Sequence, residues 1–553
     1  VQVGVVGVEL TTEGPIGKKG GSYLASYRFS NFKFLQDMGI IDLGKSRRAP
    51  TFQDFAININ LPTKKAGTFS LFGVGGTSTT GFYGVADSLK WKEDDDYQTD
   101  EVETHQVGIL GLKHSIPLAN KKTYLKTIVA VTGQYDKWDM GFMVCDKHKW
   151  YKGNLENGYA SFCEKYNTFL YPSLQATSTV NHKFNANHSL RAGLVFSLRG
   201  YDMFAKEYNY DKSWDENKPI YDVLVDRSDY TSLSQAFLQW KYRMNEKVEL
   251  NTGLHSLFFG LNKHYSIEPR LGLKWQLSEK SSISYGFGIH SRIESIASYY
   301  TFIFKPDGSY SLPNKGINFT RSVHNVIGYD WAITPDIRLK TEVYHQYLYD
   351  IPIKDDPNSS ESAINASFGL PDTIYSNKGL GENYGLEITL EKFFSKDYYF
   401  LVTASLFESK FKAGNGEWYN TVFNSNYVTN WLLGKDFKMG KNKQNVFSFN
   451  FKVFVKGGFR YTPIDLDRSG EDAYYITSRS FQKQAPYMLR FDTGIKFRKN
   501  NPNYSWIVSL DIQNLTNRRN VLGYDYDYNN GYKQIEEIEG LPMVPILNFR
   551  VEF

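Results

Sequence analysis

Two cysteines, ten histidines and a few loop carboxylates are the residues of this chain whose types could do chemistry. Cys145 and Cys163 lie either side of His148, and thiolate with imidazole makes a good zinc ligand set, but this spacing fits no standard zinc pattern. In an oxidising compartment the expected state is a Cys145–Cys163 disulfide closing an external loop, a bond worth ~3 kcal/mol. Two unbonded thiols are the alternative. Asp465-x-Asp467-x-Ser469-Gly470 imitates the first half of a calcium loop, with oxygens at alternate positions and a turn-forming glycine. The closing bidentate glutamate should stand at 476, where the chain has Ile476. That segment therefore reads as a solvated loop. There is no GxSxG, no HExxH and no phosphate-cradling glycine loop. No catalytic residue, metal or cofactor is expected, and the chain reads as a non-enzyme.

Aromatic side chains offer more. Trp138, Trp150, Tyr151, Tyr299, Tyr300, Trp418 and Tyr419 fall in or beside long connecting segments, and their faces suit sugars, peptides and chelates through apolar stacking. His290, Arg292 and Glu294 share one parity at the end of an extended segment, so they could point together toward a ligand. The bland alternatives are interfacial girdle residues for the aromatics and solvated wall residues for the other three.

The elements that position these residues follow from composition and alternation. Of 553 residues, 41% are hydrophobic and 22% charged, and no stretch of ~20 apolar residues exists for a spanning helix. A surplus of five positive charges over this length is no nucleic-acid footprint. Yet 40 Tyr, 39 Phe and 10 Trp are far more aromatics than an ordinary soluble chain needs. Period-two alternation recurs. Leu489, Phe491, Thr493, Ile495 and Phe497 oppose Arg490, Asp492, Gly494 and Lys496. Leu386, Ile388 and Leu390 oppose Glu387, Thr389 and Glu391. Leu547, Phe549, Val551 and Phe553 oppose Asn548, Arg550 and Glu552.

A soluble sandwich alternates too, so the connections decide. Short polar turns near residues 14–21, 61–67, 116–122, 181–189, 245–247, 278–281, 334–336, 394–397, 438–444 and 499–503 alternate with longer segments. Those longer segments lie near 30–50, 77–103, 134–167, 199–231, 255–263, 290–319, 348–382, 408–425, 456–486 and 514–541. Short turns at one rim and long loops at the other are the wiring of an outer-membrane barrel. These connections imply twenty-one strands. An even count requires a twenty-second, either upstream of residue 1 or as a stub at Gln2–Val6 with a tight turn near Gly7. The expectation is an all-β transmembrane antiparallel barrel of about 22 strands occupying residues 1–553 as one domain, its first strand missing or partial. Barrels of that width carry a plug in the lumen, and no stretch of this chain is spare for one.

The ordered set VGVELTTEGPI, IEPRLGLKWQ (267–276), GIHSRIES (288–295), NYGLEITLEKFF (383–394), YYFLVTASLFESKF (398–411), FRYTPID (459–465) and DIQNLTNRRNV (511–521), ending in an aromatic, resembles the barrel of a TonB-dependent outer-membrane receptor. It is the type abundant in Bacteroidetes, often preceded by a carboxypeptidase-regulatory-like domain. The resemblance implies import of a scarce solute too large for porins, energised through TonB, with the ligand held between external loops and plug. It implies as partners the chain's own N-terminal plug, TonB, the barrel-assembly machinery and outer-membrane lipid with lipopolysaccharide. A surface lipoprotein or other complex subunits remain open. The plug and TonB box would lie upstream of residue 1. Phe553 resembles the terminal aromatic read as an assembly signal. The alternative function is a transporter-derived structural barrel within a multiprotein complex for secretion or envelope assembly.

Overall fold

A computed structural model describes the chain except residues 6, 19, 40–46, 93–96, 119–120, 146–154, 211, 214–218, 302, 305–309, 366–372, 471 and 530–531. Its strands form a closed antiparallel barrel. In chain order they are β1 (Gln2–Gly4), β2 (Gly7–Ile16), β3 (Gly21–Asn31), β4 (Arg47–Pro62), β5 (Thr68–Phe82), β6 (Thr99–Pro117) and β7 (Thr123–Cys145). There follow β8 (Tyr159–Leu170 continued by Ser173–Lys183), β9 (His188–Tyr208), β10 (Tyr221–Arg243), β11 (Val248–Phe259), β12 (His264–Gln276), β13 (Ser281–Arg292) and β14 (Thr320–Thr334). The last are β15 (Ile337–Lys354), β16 (Tyr375–Ser395), β17 (Tyr398–Lys412), β18 (Trp418–Asn420 continued by Tyr427–Met439), β19 (Asn445–Lys456), β20 (Met488–Asn500), β21 (Ser505–Gln513) and β22 (Val544–Glu552). The sheet holds 24 segments. Two strands are each interrupted once, because both pieces of β8 pair with β7 and both pieces of β18 pair with β17. Hence 24 − 2 leaves 22 strands.

The stub expected at the N-terminus is β1. It pairs on one side with β2 and on the other with β22, through Gln2↔Arg550, Val3↔Phe549 and Gly4↔Asn548, so the ladder has no open edge there. All ten short turns lie at one rim. They span 17–20, 63–67, 118–122, 184–187, 244–247, 277–280, 335–336, 396–397, 440–444 and 501–504.

Alternation sorts the two faces of the wall. Leu339, Leu390, Val402, Trp431, Val453 and Phe491 lie in one cross-strand row over β15 to β20. One residue along, the row is Lys340, Thr389, Thr403, Asn430, Phe454 and Arg490. The apolar rows do not meet in a dry interior: Trp431 is 55% exposed, Leu406 55% and Val343 54%. They therefore need a hydrocarbon solvent, and the second face lines a wet lumen. Trp275 and Tyr265 on β12 share the apolar face ten residues apart. That is about 34 Å along the strand, or about 26 Å across a bilayer at the usual tilt, the height of an outer-membrane apolar band.

The wall divides into two compact units. One contains Val1–His182, Ala192–Gln235 and Asn548–Val551. Its buried clusters are extensions beyond the band: Trp91, Tyr97 and Cys145 form one, Val144, Phe162 and Tyr208 another. The second unit contains Lys183–Arg191, Ala236–Leu547 and Glu552–Phe553, and buries Phe411, Ala413 and Tyr419 against Ile364.

Two expectations change. Several long loops are shorter than the sequence suggests, because strands continue outward past the membrane; β7 has 23 residues where 9–11 would cross. The cysteines are not disulfide-bonded. They lie on paired strands, but Cys145 faces Tyr159 while Cys163 faces Gly141. An offset of four residues is about 13 Å along a strand, beyond the ~7 Å a disulfide spans.

Candidate functional site

The outer ends of the second unit are laced together by buried amide side chains. Asn314, fully buried, donates from Nδ2 to the Thr373 carbonyl and accepts the Tyr375 N–H at Oδ1, both at 2.8 Å. Asn377 accepts the Asn318 N–H at 2.7 Å and donates to the Asp350 carbonyl at 2.8 Å. Glu408 accepts from Asn424 Nδ2 at 3.0 Å and Asn426 Nδ2 at 2.7 Å, and Arg460 donates to the Asn424 carbonyl and Asn426 Oδ1. The Ser360 and Ser480 hydroxyls meet at 2.7 Å. Asn314, Asn377 and Arg460 satisfy backbone groups that would otherwise be orphaned in irregular chain, while the Glu408 and serine contacts join side chain to side chain. The loops 293–319, 355–374, 413–426 and 457–487 are thus joined in one polar lattice above their strands.

The same unit presents a charged stretch of lumen wall. Glu268 on β12 is 1% exposed and accepts from His255 Nδ1 (2.8 Å), Ser266 Oγ (2.9 Å) and the Arg270 guanidinium (2.9 Å). His290 on β13 and His324 on β14 lie ring to ring at 4.6 Å, and Ser322 Oγ meets His324 Nε2 at 2.8 Å. Beside them a recess of about 450 Å³ is lined by Arg191, Phe237, Gln239, Asn251, His255 and Arg270. Further pairs continue the wall: Arg338 with Asp330, Lys340 with Glu342 at 2.6 Å, and Arg490 with Asp492 at 2.9 Å. Within the first unit the lumen face carries His105 on Asp136 at 2.8 Å. Among the described residues no group of three or more His, Cys, Asp or Glu side chains has metal-holding geometry.

The expected ligand residues scatter. Trp138 lies on the lumen face of β7 and donates its indole N–H to Glu101 at 2.5 Å. Trp150 and Tyr151 lie outside the described residues. His290 joins His324, and Arg292 reaches Glu294 at 3.3 Å. Tyr299 and Tyr300 are fully buried in the loop that follows β13. Burial pushes the Tyr299 hydroxyl up to about 12, and its oxygen accepts the Glu294 N–H. Trp418 is exposed, but Tyr419 is buried on Phe411 with its hydroxyl accepting from Asn415. Phe553 is 94% exposed beyond β22. Asp465 caps its own turn, accepting the Asp467 and Arg468 N–H groups. His255, Glu268, Arg270 and His324 escaped the sequence reading. Lumen parity could have nominated each, but their convergence depends on register.

Solved structures with this architecture exist. The chain is similar to the siderophore receptor PiuA from Acinetobacter baumannii, with 13% identity and a TM-score of 0.64 over 100% of this chain and 80% of that one. The fold is that of a multi-pass outer-membrane receptor barrel. The barrel is likewise similar to the pyoverdine outer membrane receptor FpvA from Pseudomonas aeruginosa (11% identity, TM-score 0.66, 100% and 78% of the two chains). The outer membrane transporter YddB from Escherichia coli matches it at 11% identity and TM-score 0.64, over 98% and 74% of the two chains. At such identities the likeness is one of fold. No family model and no curated protein matches the sequence.

Proposed function

We propose that this chain is the barrel of a TonB-dependent outer-membrane transporter that imports a scarce solute too large for porins. The observation that carries the reading is the pairing of a laced outer vestibule with an ion-paired lumen wall beneath it. Loops held by Asn314, Asn377 and Glu408 present a shaped surface without paying for their ordering at the moment of capture. Charges such as Arg270 and Glu268 are already partnered, so a solute passing them meets polar groups with no unpaired charge to trap it. The similar structures are named as siderophore receptors, which makes ferric chelates the first ligand class to test. Import would be driven by a pull on the N-terminal plug that the family resemblance implies, and Phe553 would serve barrel assembly.

Uptake of radiolabelled ferric chelates by cells carrying the intact gene decides the matter. Accumulation that a protonophore abolishes supports import. No accumulation of any chelate, together with stable co-purification in a multiprotein complex, would instead establish the structural role.

A further inference from the structure

The outward face of the wall carries one niche that the transport reading does not use. It lies at the long-loop end of β12, β13, β14 and β15, has a volume of about 430 Å³, and is lined by Lys263, Tyr265, Ile267, Ser291, Arg321 and Tyr349 among others. Ser291 pairs with Arg321 and Arg321 with Tyr349, so the three share one rung and one face. The next rung on that face, Ile289–Val323–Tyr347, belongs to the apolar band. Tyr265 and Ile267 beside them are 67% and 60% exposed, as lipid-facing residues must be.

Two residues lining this niche carry a buried polar atom with no hydrogen-bond partner: Arg321 at Nε and Ser291 at Oγ. A buried polar atom without a partner is destabilising, and a group seated in the niche would supply one. Arg321 is ion-paired with Asp350, but the carboxylate oxygen stands 3.8 Å from Nε, beyond hydrogen-bonding distance, so Nε keeps its donor unused. Lys263 has no ion-pair partner among the described residues. Two cations and a hydroxyl at one end, with Ile267 and Ile289 leading toward the band at the other, match an amphiphile whose head is anionic. The depth agrees: Tyr265 marks the outer girdle, the level of the headgroups.

We propose that this niche binds the phosphate headgroup of an outer-leaflet lipid of the lipid A type, with Arg321 and Lys263 on the phosphate, Ser291 donating to it, and an acyl chain along Ile267 and Ile289. The proposal rests on the membrane-barrel reading but not on the transported solute. Arginine takes phosphate bidentately through a charge-assisted pair, and the lipid supplies the acceptor that the chain lacks at Nε and Oγ.

The test uses the full-length protein in phosphatidylcholine nanodiscs containing either bisphosphorylated lipid A or the same lipid A stripped of its phosphates. Native mass spectrometry reads the lipid A retained on the barrel. Retention of the bisphosphorylated form only is expected. The double variant Lys263→Ala/Arg321→Ala should retain it more weakly by roughly tenfold or more, while Arg321→Lys keeps most of it. Lys280→Ala, in the turn at the opposite end of β12 and β13, should leave retention unchanged. Equal retention by wild type and the double variant overturns the site, and so does displacement of lipid A by an equal concentration of inorganic phosphate. A heat-modifiable electrophoretic shift, measured on every sample, reports the folded barrel. Its absence from wild type would sink the membrane reading itself, whereas a normal shift without lipid A retention sinks this site alone.

Discussion

Asn314 shows what one side chain does in irregular chain. Its amide fills the donor and acceptor needs of Thr373 and Tyr375 at once, in a place no water reaches. Asn314→Ala removes both hydrogen bonds, at ~1–3 kcal/mol each. Hydrogen exchange should then lose protection at Tyr375 while the barrel strands keep theirs; unchanged exchange at Tyr375 would refute the role. At the opposite rim, Asp336 accepts from Ser395 and Thr334 and faces Lys392 at 3.4 Å, and these hydrogen bonds hold its carboxyl well below the ordinary 3.8. The contribution to stability is therefore complete above pH 3.8 and is lost as the pH falls through the lowered folded value. Protection of the Phe393 N–H, which donates to the Asp336 carbonyl, should fall on acidification in wild type and stay insensitive to acid in Asp336→Asn. At this scale the sequence told little. His290 was visible from its parity, but His255, Glu268 and His324 converge on it only through the register of four strands, and register is a property of pairs rather than of single segments.

At the level of elements, parity is the working variable. Ile388 lies in the apolar row of β16 between Tyr384 and Lys392, and Thr389 faces Lys340 on the lumen side. Ile388→Arg should cost ~2–4 kcal/mol in bilayer unfolding titrations, the price of a cation near the midplane, and Thr389→Arg close to nothing. Equal losses would mean the faces are assigned the wrong way round. The alternation of β16, β20 and β22 was legible because one face meets hydrocarbon and the other meets water. The outer halves of β7 and β8 were not, since both faces there are wet and the ladder persists without any pattern of side chains. The cysteine pairing failed for the same reason. A segment taken for a loop is a paired hairpin whose register holds Cys145 and Cys163 apart. Accordingly, denatured protein should react with two equivalents of alkylating reagent without prior reduction. Blocked thiols would restore the disulfide.

For the whole molecule, closure depends on three residues of β1. Gln2 and Arg550 face each other across the seam, flanking the pair in which Val1 and Val551 exchange both backbone hydrogen bonds. Gln2 and Arg550 are thus a non-hydrogen-bonded pair, at about 4.5 Å between Cα atoms, within disulfide range. Gln2→Cys with Arg550→Cys should cross-link on oxidation in folded protein, giving a species that no longer slows on heating. Failure to cross-link would mean the seam is open. Deleting Phe553 should lower the amount of barrel in the outer membrane more than it changes ligand affinity. Equal surface levels would refute that. Strand number and wiring were readable from the regular succession of brief and extended connections, which belongs to the chain as a whole.

The inner rim has a mechanical corollary. Its ten hairpins are two to five residues long, and Lys392 pins one of them by donating to the Phe393, Ser395 and Tyr398 carbonyls. On the proposed import reading, such short hairpins would offer a periplasmic motor little to grip. Force from the inner side would then have to travel through a tether separate from the staves.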